Sequence, residues 1–317
     1  MHSITTRRNL VRGLITTLAV CTLPSCRKQY TAGDRITAGE RKPNVCAVNY
    51  PLAYFAQEIG GELIEVHFPV PPDIDPALWN PRPAEVALFQ QADLILLNGA
   101  GYTKWTRHVS LPDSKLLDTS ALAKEKYLQV EEAIIHQHGP EGDHSHESIA
   151  STTWLDLEIA KTQASAILEA LKKLLPEQTE TLDNRFQKLS GKLDVLDREL
   201  LALDAERHPL FASHPVYQYL AKRYDLNIQS VQWKPDAMPS EAAWKQLEAL
   251  SKQHPAKVML WEASPLPEIQ DLLSKLDLRC VVFSPLGNTP RQGNFISVME
   301  NSIEQLSAAM QELPSSH

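Results

Sequence analysis

From Asn44 onward, short apolar runs alternate with longer stretches of helical spacing. Residues 45–48, 63–70 and 94–97 are compact apolar runs of strand length. Residues 52–59, closed by Gly60-Gly61, and 83–91, opened by Pro83, carry the 3.6-residue rhythm of helices between them. The pattern returns after residue 207, with strands predicted at 210–213, 228–231, 258–261 and 279–283. Helices are predicted at 215–223, 240–253, 267–276 and 297–313. This alternation predicts an α/β protein with parallel sheets flanked by crossover helices, divided into two lobes.

Between the lobes lies a very regular segment. Leu182, Phe186, Leu189, Leu193, Leu196, Leu200 and Leu203 recur at spacings of four and three, with Pro176 suited to a first helical turn. The stripe predicts one long, rigid helix over 176–203, on the order of 40 Å at ~1.5 Å per residue. Such a helix can pack against both lobes, and a wide hinge motion would break its contacts.

The first residues follow a different pattern. Arg7, Arg8 and Arg12 precede an uncharged run over 14–23, which ends in Leu23-Pro24-Ser25-Cys26. Residues 1–25 read as an export signal, too short to span a bilayer. Ser25-Cys26 resembles a bacterial lipobox, which implies lipidation of Cys26; the alternative is an ordinary cleaved signal that leaves a cysteine behind. Thr6-Arg7-Arg8-Asn9-Leu10 resembles a twin-arginine signal, so the export route stays open. The chain is therefore partitioned into a signal (1–25), a polar tether (26–43), an N-terminal lobe (44–155), a helical connector (156–207) and a C-terminal lobe (208–317).

Composition adds few constraints. With 43% hydrophobic and 22% charged residues in 317, core size is not limiting. Loss of three arginines with the signal moves the net charge from −8 to −11, which argues against nucleic acid as a partner. Cys46 and Cys280 fall in predicted strands of opposite lobes and read as two buried free thiols. The protein is expected to be a monomer.

Residues 136–147, HQHGPEGDHSHE, hold four of the eleven histidines. His136 and His138 are two apart, as are His144 and His146, which places both rings of a pair on one face of an extended chain. Each pair offers neutral imidazoles, with Glu141, Asp143 and Glu147 as oxygen donors, a set that suits zinc. Gly139, Pro140 and Gly142 fix no geometry, so affinity should be modest. A merely hydrophilic loop is the alternative. No Gly-x-Ser-x-Gly, His-Glu-x-x-His or phosphate-cradling glycine loop occurs, so an enzyme is not expected.

Seven short motifs follow in order: Val48-Asn49-Tyr50-Pro51-Leu52, the loop Val70 to Pro76, Ala92 to Gly99, Trp154-Leu155-Asp156, Ser213-His214 with Tyr219, Trp261 to Pro265, and Ser284-Pro285-Leu286. Together they resemble the zinc/manganese-type solute-binding proteins of bacterial ABC importers. The resemblance implies two α/β lobes with a divalent cation held between them, and a role in capture and delivery to a membrane permease. It places one ligand at His214. At the other family ligand positions stand Ala77, Thr152 and Ser284, none of which can replace an imidazole or carboxylate. Asp73, Asp75 and Glu262 could refill the cleft as an oxygen-rich site with His214, better suited to manganese than to zinc. Otherwise Asp73 and Asp75 are solvated turn residues, Glu262 a strand-end carboxylate bonded to a backbone amide or facing water, and His214 a histidine satisfied by a neighbour. Trp79, Trp105, Trp154 and Trp261 lie near the same loops and could fill the cleft or line an organic-ligand pocket.

The expected function is that of the metal-binding lipoprotein of an ABC importer, carrying Zn2+ or Mn2+ as transported ligand and tethered to the membrane through Cys26. The competing expectation is a scaffold that has lost its cleft metal and buffers metal, or binds another ligand.

Overall fold

The computed structural model describes residues 41–72, 74–131, 147–203 and 208–312. Residues from Lys42 onward form one compact unit. In the N-terminal lobe, β1 (Asn44–Ala47), β2 (Glu65–His67), β3 (Leu94–Leu97) and β4 (Leu116–Asp118) form a parallel sheet in the order β2-β1-β3-β4. In the C-terminal lobe, β7 (Leu210–Ala212), β8 (Ile228–Ser230), β9 (Val258–Trp261) and β10 (Arg279–Val282) form a second parallel sheet, β10-β9-β7-β8. Both sheets reverse strand order beside a central strand, the place where open α/β sheets bind ligands beyond their carboxyl edges.

The helices begin and end where local chemistry dictates. In α1 (Tyr50–Gly60), the Asn49 side chain accepts from Leu52 N at 3.2 Å and Pro51 lies in the first turn. Gly61 ends this helix with φ of 53°, a conformation that costs glycine little. Helix α2 (Pro83–Gln91) has the bounds the sequence predicts. Helices α6 (Glu241–Gln253) and α8 (Phe295–Gln311) are capped by Ser240 and Asn294.

The connector is a pair of helices, α3 (Leu157–Leu174) and α4 (Thr179–Leu201), of which α4 packs on α1, α3 and α8. Leu182, Leu189, Leu193, Leu196 and Leu200 are buried and Phe186 and Leu203 partly so, as the stripe requires. The predicted start is corrected: Pro176–Gln178 form a separate 3-10 turn, because Leu175 (φ −133°, ψ 61°) is not helical. Helix α4 is therefore about 35 Å long. Arg185 Nη1 donates to Gly60 O at 2.7 Å, so α4 satisfies a carbonyl left open at the end of α1.

Gly191 lies inside α4 where an added Cβ would meet nothing within 4 Å, over a hollow of about 490 Å³ bordered by Glu58, Arg185, Lys188, Lys192 and Val195. Gly191→Ala should therefore raise stability by about 0.5–1 kcal/mol, read as an increased denaturation midpoint.

Candidate functional site

Strand register builds the C-terminal half of the cleft. β7 pairs with β9 so that Ala212 faces Leu260, and Ser213 N donates to Leu260 O at 2.8 Å just beyond. His214 and Glu262 follow Ser213 and Trp261 at the carboxyl edge of these two neighbouring strands. The loop after β2 brings Asp75 to them from the other lobe, near enough for its charge to act on both.

The electrostatics of this trio are specific. Glu262 is half-buried and makes no hydrogen bond or ion pair with any described residue; burial, and secondly the Asp75 charge, push its carboxyl up to about 7. Burial lowers the pKa of half-buried His214, opposed by Asp75 and reinforced by Lys234, so its imidazole is neutral at neutral pH. Its ring likewise has no hydrogen-bond partner among the described residues, so the reading of His214 as satisfied by a neighbour is not realised there. Tyr102 and Tyr217, both buried, have phenol pKa values raised by burial and secondly by Asp75 and Glu262 respectively. The Ser213 hydroxyl is buried without a partner. Among the described residues, however, no three His, Cys, Asp or Glu side chains lie close enough together to hold a metal ion.

The positions where the family's other ligands are expected are occupied structurally. Thr152 Oγ1 donates across the lobes to Val216 O at 2.6 Å. Ser284 Oγ accepts from Leu286 N at 3.3 Å. Ala77 N donates to Asp75 Oδ1 at 2.9 Å, which orients that carboxylate.

The tryptophans do not gather around a gap. Trp79, Trp105 and Phe89 pack edge to face inside the N-terminal lobe, and Trp261 joins Trp233 and Trp244 in the C-terminal one. Buried Trp154 alone of the four bridges the lobes, donating from Nε1 to Pro285 O at 2.6 Å and meeting Tyr102 edge to face at 5.3 Å. Both body cysteines are free, but Cys280 is only half-buried, in contrast to buried Cys46.

Several organising residues had no role assigned from the sequence, although Asn49 and Asn98 lie within its motifs. Asn98 Oδ1 accepts from Asn49, Thr153 and Gln163 at 3.1–3.2 Å, while its Nδ2 donates to Ser151 O at 2.9 Å, tying β1, β3 and the start of α3 together. Asn288 reaches across to the Asp75 loop. His136, His138, His144 and His146 lie outside the described residues, as do Asp73 and Cys26. The strands on either side of the histidine tract are described: β5 (Gln129–Glu131) pairs antiparallel with β6 (Glu147–Ile149), Glu131 opposite Glu147.

The profile of the zinc-uptake complex component A periplasmic family matches residues 45–309. The chain belongs to this family. The high-affinity zinc uptake system protein ZnuA of Bacillus subtilis (strain 168) is 26% identical over 310 residues, 91% of this chain and 94% of that one. The manganese ABC transporter substrate-binding lipoprotein PsaA of Streptococcus mitis is 28% identical over 223 residues, 65% of this chain and 66% of that one. In fold, the Zn(II)-bound ZnuA-like domain of Streptococcus pneumoniae AdcA superposes with a TM-score of 0.71 at 21% identity, over 86% of this chain and 100% of that one. The resemblance read from the seven motifs, and the two-lobed parallel-sheet fold, are thus borne out. No helix among the described residues is long and apolar enough to cross a membrane.

Proposed function

We infer that the protein is the substrate-binding lipoprotein of a divalent-metal ABC importer, anchored through Cys26, which captures Zn2+ or Mn2+ and delivers it to a permease without chemical turnover. Family membership over residues 45–309 carries this reading. The alternative of a scaffold without cleft metal is not favoured, because the relatives this chain resembles are zinc-uptake and manganese-transporter binding proteins.

The proposed cargo site consists of Asp75, His214 and Glu262, brought to coordinating distance when the His214 and Glu262 side chains turn toward the Asp75 loop, with water taking the remaining positions. One imidazole and two carboxylates form a donor set that favours Mn2+ more than an all-nitrogen or thiolate set would. A cation among them supplies the positive charge that Glu262 and Asp75 lack in each other's company. His136, His138, His144 and His146 would collect zinc at modest affinity and hand it inward.

Titration of Zn2+ and Mn2+ into the protein and into a variant with 136–146 replaced by a short Gly-Ser turn tests the division of labour. Retained binding in the variant, lost again on His214→Ala, supports the cleft. Loss of all binding with the tract places the metal there and refutes the cleft reading.

A further inference from the structure

Residues 284–289 run from the C-terminal lobe across the N-terminal one as a strap. Trp154 Nε1 donates to Pro285 O at 2.6 Å, and Tyr50 N donates to Gly287 O at 2.9 Å. Both bonds fasten the strap to the body of the lobe, since Tyr50 begins α1 and Trp154 is buried. The strap's last link differs: Asn288 Nδ2 donates to Pro71 O at 2.7 Å and Ile74 O at 2.8 Å, with Pro72 O at 3.3 Å. All three carbonyls belong to the loop that carries Asp75.

Among the described residues, little else holds this loop in place. Pro71 and Pro72 have no N–H to donate, and Ile74, Asp75 and Leu78 are exposed. The backbone N–H groups of Ile74 and Leu78 bond locally, to Pro71 O and Asp75 O. At its far end buried Pro76 and Trp79 anchor the chain, while Pro71, Pro72, Ile74 and Asp75 are exposed. The Asn288 amide is itself oriented: its Oδ1 accepts from Thr289 N at 2.6 Å, which points both N–H bonds at the loop.

We propose that Asn288 is the latch of the cargo site, a positioning residue that holds the Asp75 loop at the cleft bordered by His214 and Glu262 and thereby sets how long the cation stays. This rests on the reading of Asp75, His214 and Glu262 as the cargo site. Two or so amide–carbonyl bonds at an exposed site are weak enough to open without parting the lobes, because Trp154, Tyr50 and α4 hold the body. Release would then require a loop movement, not a hinge.

The test uses the whole chain with Asn288→Ala and Asn288→Asp; the second keeps the size but turns an acceptor toward three carbonyls. In metal-free protein, hydrogen exchange of the Ile74, Ala77 and Leu78 amides should rise about tenfold in both variants, with exchange in α4 unchanged. Mn2+ release, followed by chelator capture, should accelerate about tenfold with little change in uptake rate. Unchanged loop exchange overturns the latch whatever the metal does. Faster exchange with unchanged Mn2+ release overturns its link to cargo. A parent chain that takes up no Mn2+ at the cleft refutes the cargo-site reading instead, and is recognised because loop exchange still responds to the substitutions.

Discussion

Glu262→Gln is expected to make the metal-free protein about 2–3 kcal/mol more stable at pH 8 while weakening divalent-cation binding about a hundredfold. The folded carboxyl is pushed up to about 7, above its ordinary 4.5, so between those values the folded chain binds more protons than the unfolded one. Stability contributed by the protonated form is complete below about 4.5 and is lost as pH rises toward 7. Chemical denaturation at pH 5 and pH 8 should show that decline in the parent and a flatter profile in the glutamine variant. Saturating Mn2+ should reverse the slope in the parent, because cation binding requires the carboxylate and displaces its proton. A parent whose metal-free stability is flat from pH 5 to 8 would mean that Glu262 is not the charged, uncompensated group described above.

A residue can therefore be costly to the fold and useful to the site, and this explains what could be read in advance. His214 and Glu262 were legible because each directly follows a short apolar run, and strand ends in parallel sheets are where ligands bind. That the strands they follow are neighbours was not legible, since it depends on the β7–β9 pairing. The strands at 94–97 and 258–261 matched exactly because both are bounded by polar breaks. Strand β4, half-buried at a sheet edge, and the β5–β6 hairpin gave no such signal. Helix α5 (Gln218–Arg223) begins three residues later than Pro215 suggests, because Val216 spends its carbonyl on Thr152. The strand predicted over 63–70 shrinks to Glu65–His67, since a 3-10 turn takes Gly61–Leu63 and the chain leaves the sheet after His67. Asn98, although inside the motif at 92–99, and Asn288 act through tertiary contacts, to which periodicity is not sensitive.

The largest loss of stability is expected at Arg223. Its Nε and Nη2 bind both oxygens of Asp197 at 3.1 and 2.8 Å, and Nη1 donates to Glu158 at 2.8 Å, with Asp156 at 3.6 Å. One guanidinium on α5 thus joins carboxylates from the start of α3 and the end of α4, fixing the connector to the C-terminal lobe. Asp156, buried at the cap of α3, has its pKa raised by burial despite two backbone N–H donors and Arg223. Arg223→Ala leaves buried Asp156 and half-buried Asp197 without their counter-charge and should cost about 2–3 kcal/mol, less than a fully buried pair because the network is partly open to solvent. Arg223→Lys should recover only part of this, because an ammonium cannot grip Asp197 with two parallel bonds. Denaturant midpoints at pH 7 decide the matter, and the deficit of the alanine variant should shrink toward pH 4 as Asp156 takes up a proton. A loss below about 1 kcal/mol would place the cohesion of the lobes in the leucine stripe of α4 alone.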